Sequence, residues 1–283
     1  MAAAAIDSSI RKAIAVGAKM DKLALLDNFC WCSSDEPERL GQLKEAAKGC
    51  YDFAKQFGTP FISGKDSMFN DFKGYDGKGK KVKISIDPTL LISSIGIIDD
   101  VNRTVSMDVK AKGDVVYVLG ETFGELGGSE YFCMLSGDGE NIGSRVPKVN
   151  AKKNKRLYEA LSVAIAKGLV ASSMAIGRGG LGVGLAKTAM AGGLGMEVGL
   201  SGLGEKIDEE KSLYSESQGR IVVSVNPKKT RRFEEVMRKC FWVKIGKVTK
   251  KKRLVIRNGR DKLVVDLDLD KMLKGYKERL SKY

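Results

Sequence analysis

A tight-turn signal near the end of the chain constrains the fold more than any other feature. Asn258-Gly259 lies between the apolar segments 254–257 and 263–267, and this pattern predicts a β-hairpin. Over residues 40–57, apolar side chains recur at steps of three and four, which is typical of an amphipathic helix. Hairpins mixed with helices favour an α+β fold over a doubly wound parallel sheet.

The composition changes after residue 111, and we predict two domains, 1–111 and 112–283. Segment 114–120 is predicted to be the first core strand of the second domain, ending in a glycine-containing turn. The remaining predicted helices are 1–18, 35–58, 157–166, 229–240 and 270–280, and the remaining predicted strands are 23–26, 61–63, 90–98 and 220–225.

The chain contains no histidine, which excludes a Ser-His-Asp triad, a Cys-His pair and any zinc site with a histidine ligand from this chain. Its 49 Lys and Arg residues exceed its 35 Asp and Glu residues, so we expect an anionic partner. The excess concentrates in segments 148–156, 228–232 and 244–253, with no aromatic stacking pattern among them. Subunit docking or substrate steering is therefore favoured over nucleic-acid binding.

Five cysteines, an odd number in mostly apolar contexts, argue against a disulfide framework and fit a reducing compartment. No apolar run approaches the roughly 20 residues of a membrane span, and the N-terminus lacks a secretory signal pattern. We expect a cytoplasmic protein that does not enter a membrane.

Cys30-Trp31-Cys32 offers too few soft or nitrogen ligands for a tetrahedral metal site, so a packing role is favoured.

Two glycine-containing segments could contact phosphate. The run 177–184 superficially resembles a dinucleotide-binding loop, but the preceding strand, at 171–175, is marginal and the expected acidic residue is missing downstream. Close helix packing is the favoured explanation for that run. The segment 64–67, predicted to be a turn, combines a lysine, a hydroxyl and backbone amides, and phosphate binding and an ordinary surface turn both explain it.

Motifs in order along nearly the whole chain resemble the phosphoribosylformylglycinamidine synthase family, within the aminoimidazole ribonucleotide synthetase-like superfamily. They are ALLDNFCW at 24–31, GTPFISGKDS at 58–67, PTL at 88–90, GET at 120–122, ELGGSEY at 125–131, GGL at 179–181, AGGLG at 191–195, YSES at 214–217 and GR at 219–220.

The resemblance implies a ligase of purine biosynthesis that uses ATP to replace the formamide oxygen of formylglycinamide ribonucleotide with ammonia from glutamine. The chain resembles only the second half of the large subunit, with Met1 aligned inside the first helix of that half. Such a half has an N-terminal α/β half-barrel domain and a C-terminal α+β sandwich domain. The implied partners are a catalytic first-half chain, which would carry the magnesium and the catalytic residues, and a glutaminase.

The resemblance also implies two sets of site residues, and no catalytic residue, on this chain. The substrate-binding set is Asp27, Asn28, Ser63, Gly64, Lys65, Asp66 and Ser67. The set for a degenerate auxiliary nucleotide site is Lys12, Arg178, Gly179 and Gly180.

The auxiliary site departs from the family pattern at the positions that hold magnesium. Ser8 and Lys12 replace the usual glutamate and asparagine, Arg178 replaces an acidic residue, and Met174 and Ala175 replace a His-Asp pair. Because magnesium prefers hard oxygen ligands, we predict that this site binds no metal. Fixed positive charge could take the place of the cation beside an anionic ligand.

Two alternatives remain open from the sequence. The chain could be a pseudoenzyme, alone or as a homodimer, that acts as a scaffold or binds a phosphorylated small molecule without turnover. It could also be a piece of one longer polypeptide, an idea prompted by the alignment of Met1 inside a helix.

Overall fold

A computed structural model describes residues 1–137 and 142–278. The helices are α1 (Ala2–Ala15), α2 (Pro37–Phe57), α3 (Glu130–Ser136), α4 (Ala151–Ala166), α5 (Gly180–Gly192), α6 (Glu209–Tyr214), α7 (Thr230–Met237) and α8 (Leu269–Glu278). The strands are β1 (Leu23–Cys30), β2 (Phe61–Ser67), β3 (Asp71–Tyr75), β4 (Lys81–Ser85), β5 (Thr89–Gly96), β6 (Val115–Leu119), β7 (Ser172–Ala175), β8 (Gly195–Gly199), β9 (Ile221–Val225), β10 (Trp242–Thr249), β11 (Arg253–Arg257) and β12 (Leu263–Asp268). This mixture confirms the α+β class.

The strands of the described residues form three sheets. The first has the order β2-β1-β5, with β2 parallel and β5 antiparallel to β1, and the pair β3-β4 is a separate hairpin. The large sheet has the order β12-β11-β8-β10-β6-β9-β7. Strands β11 and β12 form the hairpin that the sequence predicted around Asn258-Gly259.

Two hydrophobic cores lie on the two faces of the large sheet. One face of β6 and β9 packs with α4 and α7 and continues into the residues of α1, α2 and the first sheet. The opposite face packs with α5 and α8. Strands β6 and β9 are buried along their whole length because both of their faces are covered. A single core therefore joins the first sheet to the large one, and it fixes the position of α1 against α4.

Several element boundaries differ from the sequence predictions. Helix α4 begins at Ala151 rather than residue 157, because the side chain of Asn150 accepts a hydrogen bond from the Lys153 amide and caps the helix. Helix α7 ends at Met237. The residues predicted to complete the last helix, 279 and 280, lie outside the described range.

No helix in the described ranges has the length and apolar character that crossing a lipid bilayer requires.

The Cys30-Trp31-Cys32 segment packs at the end of β1. Trp31 is buried, and its indole N–H donates to the carbonyl oxygen of Arg39, 3.0 Å away. Cys32 is also buried, whereas Cys30 is partly exposed. These contacts fit the packing role favoured for this segment.

Candidate functional site

The structure brings the predicted substrate-binding residues together on two neighbouring strands. Strand β2 lies at the edge of its sheet, and its parallel pairing with β1 places Gly64 opposite Asp27 and Lys65 opposite Asn28. The prediction of a turn at 64–67 was wrong, since these residues are extended and continue β2 to Ser67. The residues have turn-like composition, but the backbone pairing with β1 holds them in a strand.

A polar row lies on the outward face of this sheet. Register and side-chain alternation place Lys65, Ser67 and Asn28 on the same face. The ammonium of Lys65 donates to the hydroxyl of Ser67 across 2.5 Å, and both residues are exposed or partly exposed. An ammonium, a hydroxyl and an amide on one exposed face can together bind a phosphate or carboxylate group.

The two carboxylates of the predicted set lie on the opposite face. Burial and the charge of Asp66 raise the pKa of Asp27 above its usual value, against the lowering effect of a hydrogen bond from the Lys65 amide. The Asp27 carboxylate lies directly over Gly64, where any Cβ atom would collide with it. Close packing therefore requires glycine at position 64. Asp27 and Asp66 lie on the face of the strand pair opposite the polar row.

The predicted nucleotide residues fall in two different surroundings. Lys12 and Ser8 line a shallow groove of about 400 Å³ between α1 and β5. The guanidinium of Arg178 is mostly exposed and forms an ion pair with Glu130 on α3. Lys12 therefore faces a groove, whereas Arg178 already has an anionic partner.

The glycine loop before α5 is also occupied by a carboxylate. The Gly179 amide donates to Oε1 of Glu216 at 2.8 Å, and the Glu130 amide donates to the same oxygen at 2.9 Å. Glu216 thus takes the place that an anionic ligand would occupy at the Gly179 amide. In the sequence Glu216 stands out only as part of the YSES motif, because its contact with Gly179, 37 positions away, leaves no local signal.

Two further features explain the glycine run. A strand, β7, does precede it. Its serines make the sequence signal for a strand weak, but the strand forms by pairing with β9 at the edge of the sheet. Gly180 has a φ of +67°, and a side chain there would collide with the carbonyl oxygens of Leu213 and Ser215. These contacts fit the close-packing explanation of the run.

The side chains of the predicted auxiliary site do not fit magnesium. Ser8 offers a hydroxyl, Lys12 and Arg178 are cationic, and Ala175 is apolar. The Met174 sulfur accepts a hydrogen bond from the hydroxyl of Thr188 and belongs to the packing around α5. Within residues 1–137 and 142–278, no group of three or more Asp, Glu or Cys side chains is arranged to hold a metal ion.

The sequence patterns did not predict a buried ion pair on α1, next to the Lys12 groove. Asp7 and Arg11 lie one turn apart on α1, are almost fully buried, and form a salt bridge. Asp7 also accepts hydrogen bonds from Asn154 at 2.8 Å, Tyr158 at 2.7 Å and the Gly219 amide at 3.1 Å. The spacing of four residues is a signal for a salt bridge, but it does not reveal that the pair is covered by α4.

A sequence profile described as AIR synthase related protein, C-terminal domain, matches residues 111–258. The chain belongs to this family. It is 33% identical over 281 residues to phosphoribosylformylglycinamidine synthase subunit PurL of Methanocaldococcus jannaschii, covering 98% of this chain and 36% of that protein. It is 31% identical over 223 residues to the PurL of Alkaliphilus metalliredigens, covering 79% of this chain and 28% of that protein. This chain thus spans about a third of the length of these relatives.

Solved structures share the fold of this family member. Thermotoga maritima PurL complexed with FGAR has a TM-score of 0.71 at 20% identity, covering 96% of this chain and 42% of that one. Two other similar structures are T. maritima PurL complexed with ATP and PurLQS from T. maritima. HypE of Escherichia coli, a hydrogenase maturation protein, has a TM-score of 0.65 at 16% identity and covers 95% of this chain and 79% of that one. The resemblance to PurL predicted from the motifs is confirmed.

Proposed function

We propose that this chain acts as the second half of a phosphoribosylformylglycinamidine synthase in purine biosynthesis. The observation that carries the proposal is the 281-residue match to M. jannaschii PurL, which extends over 98% of the chain. The proposed domains, 1–111 and 112–283, are supported by the start of the family profile at residue 111 and by the change of sheet between β5 and β6. The proposed location is the cytoplasm.

The proposed role is to complete the enzyme rather than to carry its catalytic residues. The outward face of the first sheet carries exposed apolar side chains, among them Leu91 and Ile95, and the β3-β4 hairpin adds Phe72 and Ile84. Exposed apolar groups at this density are typical of a protein interface. The proposed partners are a catalytic first-half chain, which would hold magnesium, and a glutaminase; T. maritima PurL forms a PurLQS assembly.

In the completed enzyme, the polar row on β1 and β2 would bind the phosphate of formylglycinamide ribonucleotide. Lys65 would supply the charge, while Ser67 and Asn28 would supply hydrogen bonds. Ser63 and Gly64 would allow the substrate to approach strand β2 closely. Asp27 and Asp66 would support the strand from its other face. ATP would be used in the complete enzyme, and the groove at Lys12 would be a degenerate remnant of a nucleotide site.

Replacing Lys65 with alanine tests the substrate role. In the enzyme reconstituted with a first-half chain and a glutaminase, the Lys65→Ala variant should raise the KM for formylglycinamide ribonucleotide about tenfold, because one charge-assisted contact to phosphate is lost. Lys44→Ala, which removes an exposed lysine on α2, is the matched control and should leave the KM unchanged. An unaltered KM in Lys65→Ala would remove Lys65 from the substrate site.

Titration of ATP into the isolated chain, with and without magnesium, tests the degenerate site. We expect weak binding or none, equal in both conditions, because Ser8, Lys12 and Arg178 offer no carboxylate to the cation. Isothermal titration calorimetry measures both affinities directly. Tight binding that requires magnesium would show that the metal ligands have been misassigned and that the chain keeps a working nucleotide site.

A further inference from the structure

A cationic cavity lies on a different part of the molecule from the polar row and the Lys12 groove. It is bounded by the start of α4, the segment 238–241 after α7, and the loop 120–123 after β6, and its volume is about 440 Å³. Its lining shares no residue with either site described above. The basic side chains that line it are Lys148, Lys153, Arg156, Arg238 and Lys239.

Basic side chains outnumber carboxylates five to one among the described residues that line this cavity. Glu121 is the one carboxylate among the described lining residues, and it forms an ion pair with Lys153 at 2.6 Å. Among the described residues the other four form no salt bridge, and Glu159 and Glu235 lie with Arg156, Arg238 and Lys239 around a neighbouring groove. Like charges gathered around one concave surface repel each other, and an anion bound among them would relieve that repulsion.

The floor of the cavity is polar and held in place. The Asn154 amide donates to Asp7, and the Gln218 side chain accepts from Arg11 at 3.2 Å and donates to the Glu216 carbonyl at 3.0 Å. Both amides are therefore fixed by the buried network under α4. Phe123 and Phe241 add apolar surface to the walls. A fixed polar floor, apolar walls and a basic rim are features of small-molecule sites.

We propose that this cavity binds a small organic phosphate, a sugar phosphate or nucleoside monophosphate. A volume of about 440 Å³ suits a ligand of that size and falls within the usual range of ligand pockets. Guanidinium groups of Arg156 and Arg238 match the bidentate geometry of a phosphate monoester, and Lys148 and Lys239 add point charges. The amides of Asn154 and Gln218 would meet the hydroxyl groups of the sugar.

The test titrates AMP and ribose 5-phosphate, beside adenosine and inorganic phosphate, into the Lys12→Ala/Lys65→Ala chain. The double variant lacks the cations of the predicted substrate and nucleotide sites. Binding that persists in it therefore reports on this cavity and is independent of the proposed function. We expect both phosphate esters to bind more tightly than adenosine. Adding Arg238→Ala and Lys239→Ala should weaken AMP binding at least about tenfold, through loss of two charge-assisted contacts.

The matched control adds Lys152→Ala and Arg231→Ala, which remove two exposed cations outside the cavity while making the same change in net charge. It should change the affinity by less than about twofold. The proposal is overturned if AMP and ribose 5-phosphate fail to bind at about 5 mM, or if the control weakens binding as much. Binding of an RNA oligonucleotide in the absence of AMP binding would also overturn it, since that result identifies a polyanion surface.

Discussion

Replacing Asp7 with asparagine is expected to lower the free energy of unfolding by about 3–5 kcal/mol. Asp7 is fully buried and holds the buried guanidinium of Arg11, so the variant leaves a positive charge inside the protein without its counter-ion. Burial and the charge of Asp7 also raise the pKa of Tyr158 well above its usual value, which keeps this hydroxyl protonated as a donor. The asparagine amide would place donor hydrogens toward groups that themselves donate.

Chemical denaturation measures this loss, and thermal unfolding should show a fall in Tm on the order of 10 °C. The matched control is Asp52→Asn, because Asp52 forms an exposed pair with Lys48 at the same four-residue spacing on α2. That variant should leave the free energy of unfolding almost unchanged, because water screens an exposed pair. If Asp7→Asn fails to fold, Tyr158→Phe removes one hydrogen bond only and should cost about 1–2 kcal/mol. Equal stability of Asp7→Asn and the parent would contradict the assigned network.

The elements predicted well from the sequence are those whose signals are local. Helix α2 has its apolar spacing, Pro37 in the first turn and Gly58 in the left-handed conformation after the last turn, all within one segment. The β11-β12 hairpin has its turn residues between two apolar runs. Such elements need no knowledge of distant residues, and motif order was enough to predict the family.

The elements missed by sequence reasoning depend on distant contacts or on irregular strands. The extension of β2 through 64–67 is stabilised by pairing with β1, more than thirty residues earlier. Strand β10 was hidden within a basic segment, because a register shift between Lys244 and Gly246 breaks the alternation that marks a strand. The contact of Glu216 with the Gly179 amide likewise exists only in the folded chain.

Replacing Leu91 with aspartate is expected to weaken association with a catalytic first-half chain at least about 100-fold. Leu91 is 57% exposed and pairs in register with Asn28, which pairs in turn with Lys65. Leu91 therefore lies in the row of side chains that crosses the outward face of the first sheet. In the proposed assembly this row is covered by the partner. A carboxylate there would have to leave water when the partner covers it, at a cost in binding free energy, whereas in the isolated chain it stays in water.

The folding stability of Leu91→Asp should therefore match the parent, and only complex formation and the activity of the reconstituted enzyme should fall. Sedimentation velocity of the mixed chains measures the association, with activity as a second readout. Leu40→Asp is the matched control, since Leu40 is similarly exposed, at 51%, but lies on α2. That variant should associate normally. If both variants bind the first-half chain as the parent does, the outward face of the first sheet is not the interface, and the partner must dock on another surface of the chain.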